Sequence, residues 1–453
     1  AENYRNGVSA YLKENAYGTT ELADFIDHQG RSAGIDLSDW SDEWLLQPGF
    51  NTLAVETECD GELLSSITIT QSAPPEQPLL RTHNVELALY NFDANGSLIV
   101  TTTTPVLVQG ERTRAAVPDD QPCPAIVNPN YNDWAFAKIT LSAADEALLS
   151  ERLGDVADPL SRSMFFAALG DKAMAGDTSI AAYVRQALRL AETEKNMRVL
   201  EQVAGALVGA ADMMKRLRPE TNDVLLPLLR QIEGLALRNA EFAEAQDVKQ
   251  LWLNTFLNVV ASEAGLGTAR ALLDGKAEID GIEISPDVRW QLLIILSRHN
   301  ADDIAELLAA ELERDASDLG ERNFLSAEAA APNLLNKQKW VAELQNPQLL
   351  TSLAKQRAVM EELFPPTQTY LQLQVLETLL SSLPKMSRDA DAYFLKSYTE
   401  TMFTPMCRKE SNALMQQVLD DFGEQLNPTA LRFIREAHQL DVDCQLLREA
   451  QAL

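Results

Sequence analysis

The chain contains no run of eighteen or more apolar residues, so no segment is long and apolar enough to cross a bilayer as a helix. Histidine is scarce too: His28, His83, His299 and His438 are the only four, and no two are four positions apart. A gluzincin site needs two imidazoles one helical turn apart with a glutamate beside the first, and no His-Glu-x-x-His occurs. Also missing are a Gly-x-Ser-x-Gly elbow, a Gly-x-x-x-x-Gly-Lys phosphate loop, a Gly-x-Gly-x-x-Gly fingerprint and any Cys-x-x-Cys. Basic residues are few, 38 Lys and Arg against 67 Asp and Glu, for a net charge of −29. Such a field repels phosphate backbones and anionic lipid, which argues against nucleic-acid and membrane-surface roles. No signal peptide is visible at Ala1-Glu2-Asn3-Tyr4, which reads as the inside of an amphipathic helix; export of a longer parent stays open.

At 453 residues the chain exceeds one ordinary core, and the hydrophobic period changes twice along it. From Tyr4 to about Ala33 apolar residues (Tyr4, Val8, Tyr11, Leu12, then Leu22, Phe25, Ile26) fall at helical spacing, broken at Gly18 and Gly34, which predicts two helices. From Asn51 to Leu141 the period becomes two. Residues 52–57, 66–70, 85–90, 98–101 and 104–108 read as strands, with turns at Asp60-Gly61, Asp93-Ala94-Asn95-Gly96 and Gln109-Gly110. A last strand is expected over Trp134–Leu141, ending at Ser142 as the N-cap of the next helix. Short strands at this spacing predict a small antiparallel β-sandwich.

Beyond Ser142 the pattern is helical throughout. Helices are predicted near 143–153, 159–172, 178–192, 196–216, 221–241, 246–262, 265–274, 286–298, 301–314, 321–330, 336–345, 347–363, 367–382, 388–402, 410–421 and 428–451. Prolines and glycines punctuate them, among them Pro219, Pro347 and Pro384. So many antiparallel helices with short links cannot share one core. They predict stacked pairs, a HEAT-like solenoid (an α–α superhelix) with a concave and a convex face, irregular because no repeat of fixed length is present. The fold class is therefore mixed but predominantly α, with expected domains at 1–47, 48–141 and 142–453.

The four cysteines segregate. Cys59 and Cys123 lie in the β region, Cys407 and Cys444 in the last helices. Two local disulfides would fit an oxidising, exported or periplasmic setting; four buried reduced thiols fit equally well. Cys123 stands between two prolines with no histidine near in sequence, which gives it no activating base.

Several segments carry a family likeness. Asn6-Gly7-Val8-Ser9-Ala10-Tyr11-Leu12-Lys13, Tyr17, Leu22 and Phe25, followed by Trp44, Gln47, Gly49 and Phe50, resemble the stretch that follows the active site in zinc aminopeptidases of the aminopeptidase N family. The usual Asn after Tyr17 is Gly18, Asp-Leu-Trp becomes Leu22-Ala23-Asp24, and Asn51 stands for the common Pro. Arg81–Tyr90, Pro124–Ile139 and Asp158-Pro159-Leu160-Ser161-Arg162 are similar to the bacterial subgroup with a long helical C-terminal domain.

The resemblance implies a parent that removes single residues from peptide N-termini with a zinc-bound water. Its zinc ligands, amine-binding loop and catalytic Tyr would all precede Ala1, so this chain is expected to have no catalytic residue, no metal ligand and no cofactor of its own. Residues 1–47 would be the last helices of that catalytic domain, the sandwich a spacer, and the solenoid a wall over the catalytic groove. The implied partners are the upstream catalytic domain and peptide substrates. On the wall, Arg408 and Lys409 beside Cys407 could meet a peptide's C-terminal carboxylate. The alternative is a non-enzymatic acidic helical scaffold that binds proteins along its concave face.

Overall fold

A computed structural model describes residues 2–217 and 224–451. It divides into two compact units, Ala1–Leu169 and Gly170–Leu453. Among the described residues are nineteen α-helices and seven strands.

The first unit opens with α1 (Glu2–Glu14) and α2 (Leu22–Ala33), as the spacing predicts, and adds an unpredicted third helix, α3 (Ser38–Leu45). Gly34, at φ 71°, ends α2 in the left-handed conformation that glycine adopts without a Cβ penalty. The strands are β1 (Asn51–Asp60), β2 (Leu63–Ser72), β3 (His83–Phe92), β4 (Leu98–Val108), β5 (Arg112–Ala115), β6 (Ile126–Asn128) and β7 (Ala137–Thr140). They form two sheets, ordered β5-β2-β1-β7 and β4-β3-β6, antiparallel except for the parallel β1–β7 pair. Leu53, Ile67 and Ile69 from one sheet and Val85, Leu87, Leu89 and Val108 from the other share one buried cluster, so the two sheets pack as a sandwich.

Three strand expectations change. The segments 98–101 and 104–108 are one strand, because Pro105 sits on an edge strand where its missing N–H leaves no ladder bond unmade. The strand expected from Trp134 begins at Ala137. Ahead of it Asn132 and Asp133 hold positive φ (64° and 54°) in a tight turn, and the Asn130 side chain bonds both the N–H and the carbonyl of Ala135. β5 and β6 are too short to show an alternation.

Helices α4 (Ala143–Arg152) and α5 (Pro159–Met174) follow. Ser142 caps α4 in a capping box with Asp145. The compact unit extends past the period change at Ser142 because the second face of β3 is also covered: the Tyr90 hydroxyl bonds Ser161 Oγ at 2.6 Å and its ring meets Phe165 edge-on. Leu98 also pairs with Val156, whose neighbour Ala157 donates to the Leu98 carbonyl.

The second unit holds α6 (Ile180–Thr193), α7 (Met197–Leu217), α8 (Leu225–Phe242), α9 (Gln246–Val259), α10 (Glu263–Leu273), α11 (Pro286–Arg298), α12 (Ile304–Arg314), α13 (Asp318–Ala330), α14 (Leu334–Gln345), α15 (Leu353–Leu363), α16 (Thr369–Asp389), α17 (Ala392–Thr401), α18 (Lys409–Phe422) and α19 (Pro428–Ala450). Pro219 and the start of the helix expected over 221–241 lie outside the described residues. Helices two apart pack in rows: α7, α9, α11, α13, α15, α17 and α19 touch in succession, as do α14, α16 and α18. This is a two-layered helical solenoid.

Pro384 does not punctuate as expected, and Pro347 separates two helices without opening the second. Pro384 lies inside α16, where Leu376, Leu379, Leu380, Leu383 and Met386 are all buried. Burial of that stripe at about 1.5–3 kcal/mol per side chain outweighs the roughly 3 kcal/mol a helix-interior proline costs. After Pro347 no helix starts, because Glu343 Oε1 takes the amides of Gln348, Leu349 and Leu350; α15 waits for its Ser352 cap.

Buried helix ends are met by side chains. The last four carbonyls of α13, Ala327 to Ala330, accept from Ser297 Oγ, Asn336 Nδ2, Lys337 Nζ and Gln368 Nε2. These are the groups an α-helix leaves without internal partners, so one polar node joins α11, α13, α14 and the turn before α16.

Candidate functional site

The first unit's polar centre is the junction between α3 and the sandwich. Arg81 is buried, its Nε donating to the Glu43 carbonyl and its Nη2 to those of Gln47 and Pro48, each at 2.9 Å. Its guanidinium carbon lies 5.4 Å from the Trp44 ring centre, and the His83 ring meets Trp44 edge-on. Gly49, at φ 90°, could carry no Cβ without meeting the Gln77 side chain. The Trp-x-x-Gln-x-Gly-Phe pattern is thus a helix end wrapped around one arginine. Asn51 completes it: its Oδ1 accepts from Arg81 N and His83 Nε2, both at 3.1 Å, and its Nδ2 donates to the Leu79 carbonyl. Burial first, and then the charge of Arg81, push His83 down to about 4, so the ring is neutral.

His28 is equally committed, with Nδ1 on the Asp24 carbonyl and Nε2 on Glu14. Among the described residues, no group of three or more His, Cys, Asp or Glu is placed to hold a metal ion.

In the second unit the polar side chains converge on the loop before α18. Asp441, fully buried on α19, accepts from Met406 N at 2.6 Å, Cys407 N at 2.5 Å and Ser411 Oγ. Burial raises its carboxyl above the usual range, against these hydrogen bonds. Cys407 holds φ 58°, a conformation rare for non-glycine residues, with Cys444 bonded to it at a Cα–Cα distance of 4.8 Å. In the first unit Cys59 is bonded to Cys123 at 5.9 Å.

The loop presents Arg408 towards α19. Arg408 Nε is buried without a hydrogen-bond partner, and so is Arg448 Nε on α19. Burial, and then the charge of Arg408, lower Arg448 from the usual guanidinium range. Arg448 Nη2 caps α7 at the carbonyls of Arg216 and Leu217, while Arg216 Nη1 donates to the Pro405 carbonyl at 2.8 Å. Lys409, the other residue singled out by the sequence, turns to Glu449 at 3.0 Å on the surface. So Arg408 joins a cluster with Arg216, Arg448 and Asp441, and Lys409 stands outside it. The three partners are far from Arg408 in sequence, but Asp441, Cys444 and Arg448 at i, i+3 and i+7 of α19 fall on one helix face and could have been read together. Two guanidiniums that repel one another across buried, unpaired Nε atoms can accept an anion such as a carboxylate.

The sequence pattern of the ERAP1-like C-terminal domain matches residues 126–439. The chain is also 30% identical over 342 residues, 73% of its own length, to the aminopeptidase N of Streptomyces lividans. It spans 39% of that relative. The match begins in β6 and runs through the solenoid into the first half of α19, so it takes in Arg216 and Arg408 and stops short of Asp441 and Arg448, and the chain belongs to the ERAP1-like C-terminal domain family as the C-terminal part of an aminopeptidase N family protein.

Proposed function

We propose that this chain is the non-catalytic region of a zinc aminopeptidase, and that its solenoid walls the catalytic groove so that only flexible peptide ends enter. The observation that supports the reading most is the family match across residues 126–439 together with likeness to an aminopeptidase N. Excluding folded protein needs a surface and no reactive group. Residues 1–47 then act as the last helices of the catalytic domain, 48–141 as spacer and 142–453 as wall. Zinc and the catalytic groups belong to the upstream domain of the parent. Arg408 offers a guanidinium to a peptide's C-terminal carboxylate, and Lys409 adds surface charge beside it. Both cysteine pairs are oxidised in this reading, which favours an exported or periplasmic protein.

Two assays test it. The 453-residue chain with added Zn²⁺ should not turn over an aminoacyl chromogenic substrate; appreciable turnover refutes the division of labour. In the parent enzyme, Arg408→Ala should raise KM for peptides with a free C-terminal carboxylate about tenfold and leave peptide amides unchanged, as loss of one charge-assisted pair predicts. Equal effects on acid and amide remove Arg408 from substrate binding. Capture of folded proteins by the solenoid, with peptidase activity indifferent to its removal, would instead favour an acidic scaffold.

A further inference from the structure

The helical unit does not end where its last helix pair ends. The final turn of α19 returns to the first helices of the same unit. Gln451 Oε1 accepts from Ile180 N at 3.3 Å and its Nε2 donates to the Thr178 carbonyl at 3.2 Å, across 271 and 273 residues of chain. Arg448 Nη2 donates to the carbonyls of Arg216 and Leu217 at 3.1 and 3.2 Å. A Cβ built on Gly176 would lie 3.2 Å from Ala450 Cβ, so the turn before α6 packs directly on α19. One helix end thus supplies an acceptor to the N-terminus of α6 and donors to the C-terminus of α7.

Beside these polar contacts, Cys444 Sγ lies 3.3 Å from Met213 Sδ of α7, and Leu447 and Ala450 line the turn at Gly176. The helices from α13 to the first half of α19 share an apolar cluster from Ala329 to Ala437. On the same face of that helix Asp441 accepts from the Met406 and Cys407 amides, and Cys444 is bonded to Cys407. Cys407 and Cys444 are 0% and 2% exposed, so a reductant reaches their sulfurs only when α19 lifts.

We propose that α19 is a redox-controlled clasp joining the two ends of the helical unit, locked by the Cys407–Cys444 disulfide. The opening reaction is thiol–disulfide exchange with a dithiol reductant. The Sγ–Sγ bond takes two electrons and two protons and becomes two thiols, while the reductant closes to its own disulfide. Freed of the bond, Cys407 can leave its left-handed conformation. The Met406 and Cys407 amides then loosen from Asp441, and the last turn of α19 releases α6 and α7. Oxidised, the unit is closed; reduced, its first and last helix pairs part. This proposal does not depend on what the wall encloses.

Hydrogen–deuterium exchange on the full chain, with and without dithiothreitol, tests it. Reduction should speed exchange tenfold or more at the amides of Ile180, Met406 and Cys407 while α11 and α13 stay protected. Unchanged exchange with both thiols alkylated overturns the clasp. So does general loss of protection, which would make the bond a plain staple. A second variant keeps the bond intact: Gln451→Ala should speed reduction of Cys407–Cys444 about tenfold, with Cys59–Cys123 in the other unit as an internal reference. Equal acceleration of both, or of neither, overturns the coupling, as do four free thiols in chain purified under air.

Discussion

Arg81 and Arg408 place a guanidinium against a helix end in different units, and they differ in how far each is satisfied. Arg81 spends its donors on three carbonyls and lies over Trp44, closing the junction of α3 with β1 and β3. Arg408 keeps Nε bare beside Arg448, whose own Nε is bare. A buried guanidinium spent on three carbonyls of one helix end is architecture, since removing it takes three acceptors' partner away at once. One held by backbone geometry against a like charge is available to something outside the chain. The difference lies in the partners, since in sequence both are single arginines near a motif.

Breaking the satisfied member has the largest expected effect. Arg81→Ala removes a buried guanidinium and its bonds to three part-buried carbonyls and should destabilise the first unit by about 3–5 kcal/mol, read as a lower urea midpoint. A loss under about 1 kcal/mol would mean that water replaces the guanidinium and that Arg81 is no keystone. Next is the carboxylate that shapes the other site. Asp441→Ala leaves Met406 N and Cys407 N without their acceptor and Ser411 Oγ with the Arg408 carbonyl alone, and should cost the second unit about 2–3 kcal/mol. The first unit's transition should not move.

Lys337 extends the comparison to a cation that is buried and bonded but not paired. It is fully buried with Nζ on the Ala329 carbonyl, and burial pushes it down to about 7, with Arg298 adding to the fall and Glu362 opposing it. The folded value lies below the unfolded one, so burying the charged form penalises the fold at and below pH 7. The penalty is relieved as pH rises towards the unfolded value near 10.5. Stability relative to Lys337→Met should therefore rise by roughly 1.4 kcal/mol per unit above pH 7. Urea midpoints at pH 6, 7, 8 and 9 check this; a flat difference would show that Lys337 stays charged in the fold.

Much of this was readable along the chain. Helical and alternating periods marked the helices of the solenoid and most strands of the sandwich, because amphipathic faces are written locally. Exceptions arose where tertiary contacts overrode local signals. Pro384 is carried by the buried stripe of α16, and Pro347 opens no helix because Glu343 claims the next amides. At the candidate site Arg408 was visible through its neighbour Cys407. Its setting was not, since Arg216, Asp441 and Arg448 come from two other helices, and a one-dimensional pattern does not show which charges meet. Arg81 shows the same limit: it stood out within a family segment, yet the three carbonyls that fix its role lie 33 to 38 residues away.

The smallest expected effect is the most informative for the comparison. Arg408→Ala removes no hydrogen bond recorded among the described residues and relieves repulsion at Arg448. Stability should change by less than about 0.5 kcal/mol, or rise slightly, where Arg81→Ala loses several. If Arg408→Ala instead costs about 2 kcal/mol or more, its guanidinium is structural after all, and the two arginines are the same device used twice. Arg408→Lys separates charge from shape. A lysine keeps the positive field but lacks the planar fork, so it should match Arg408→Ala in stability while restoring only part of any carboxylate binding. Paired measurements of urea midpoint and affinity for a peptide acid against its amide then place each variant on two axes. An arginine kept for architecture moves along the first, and one kept for an anion moves along the second.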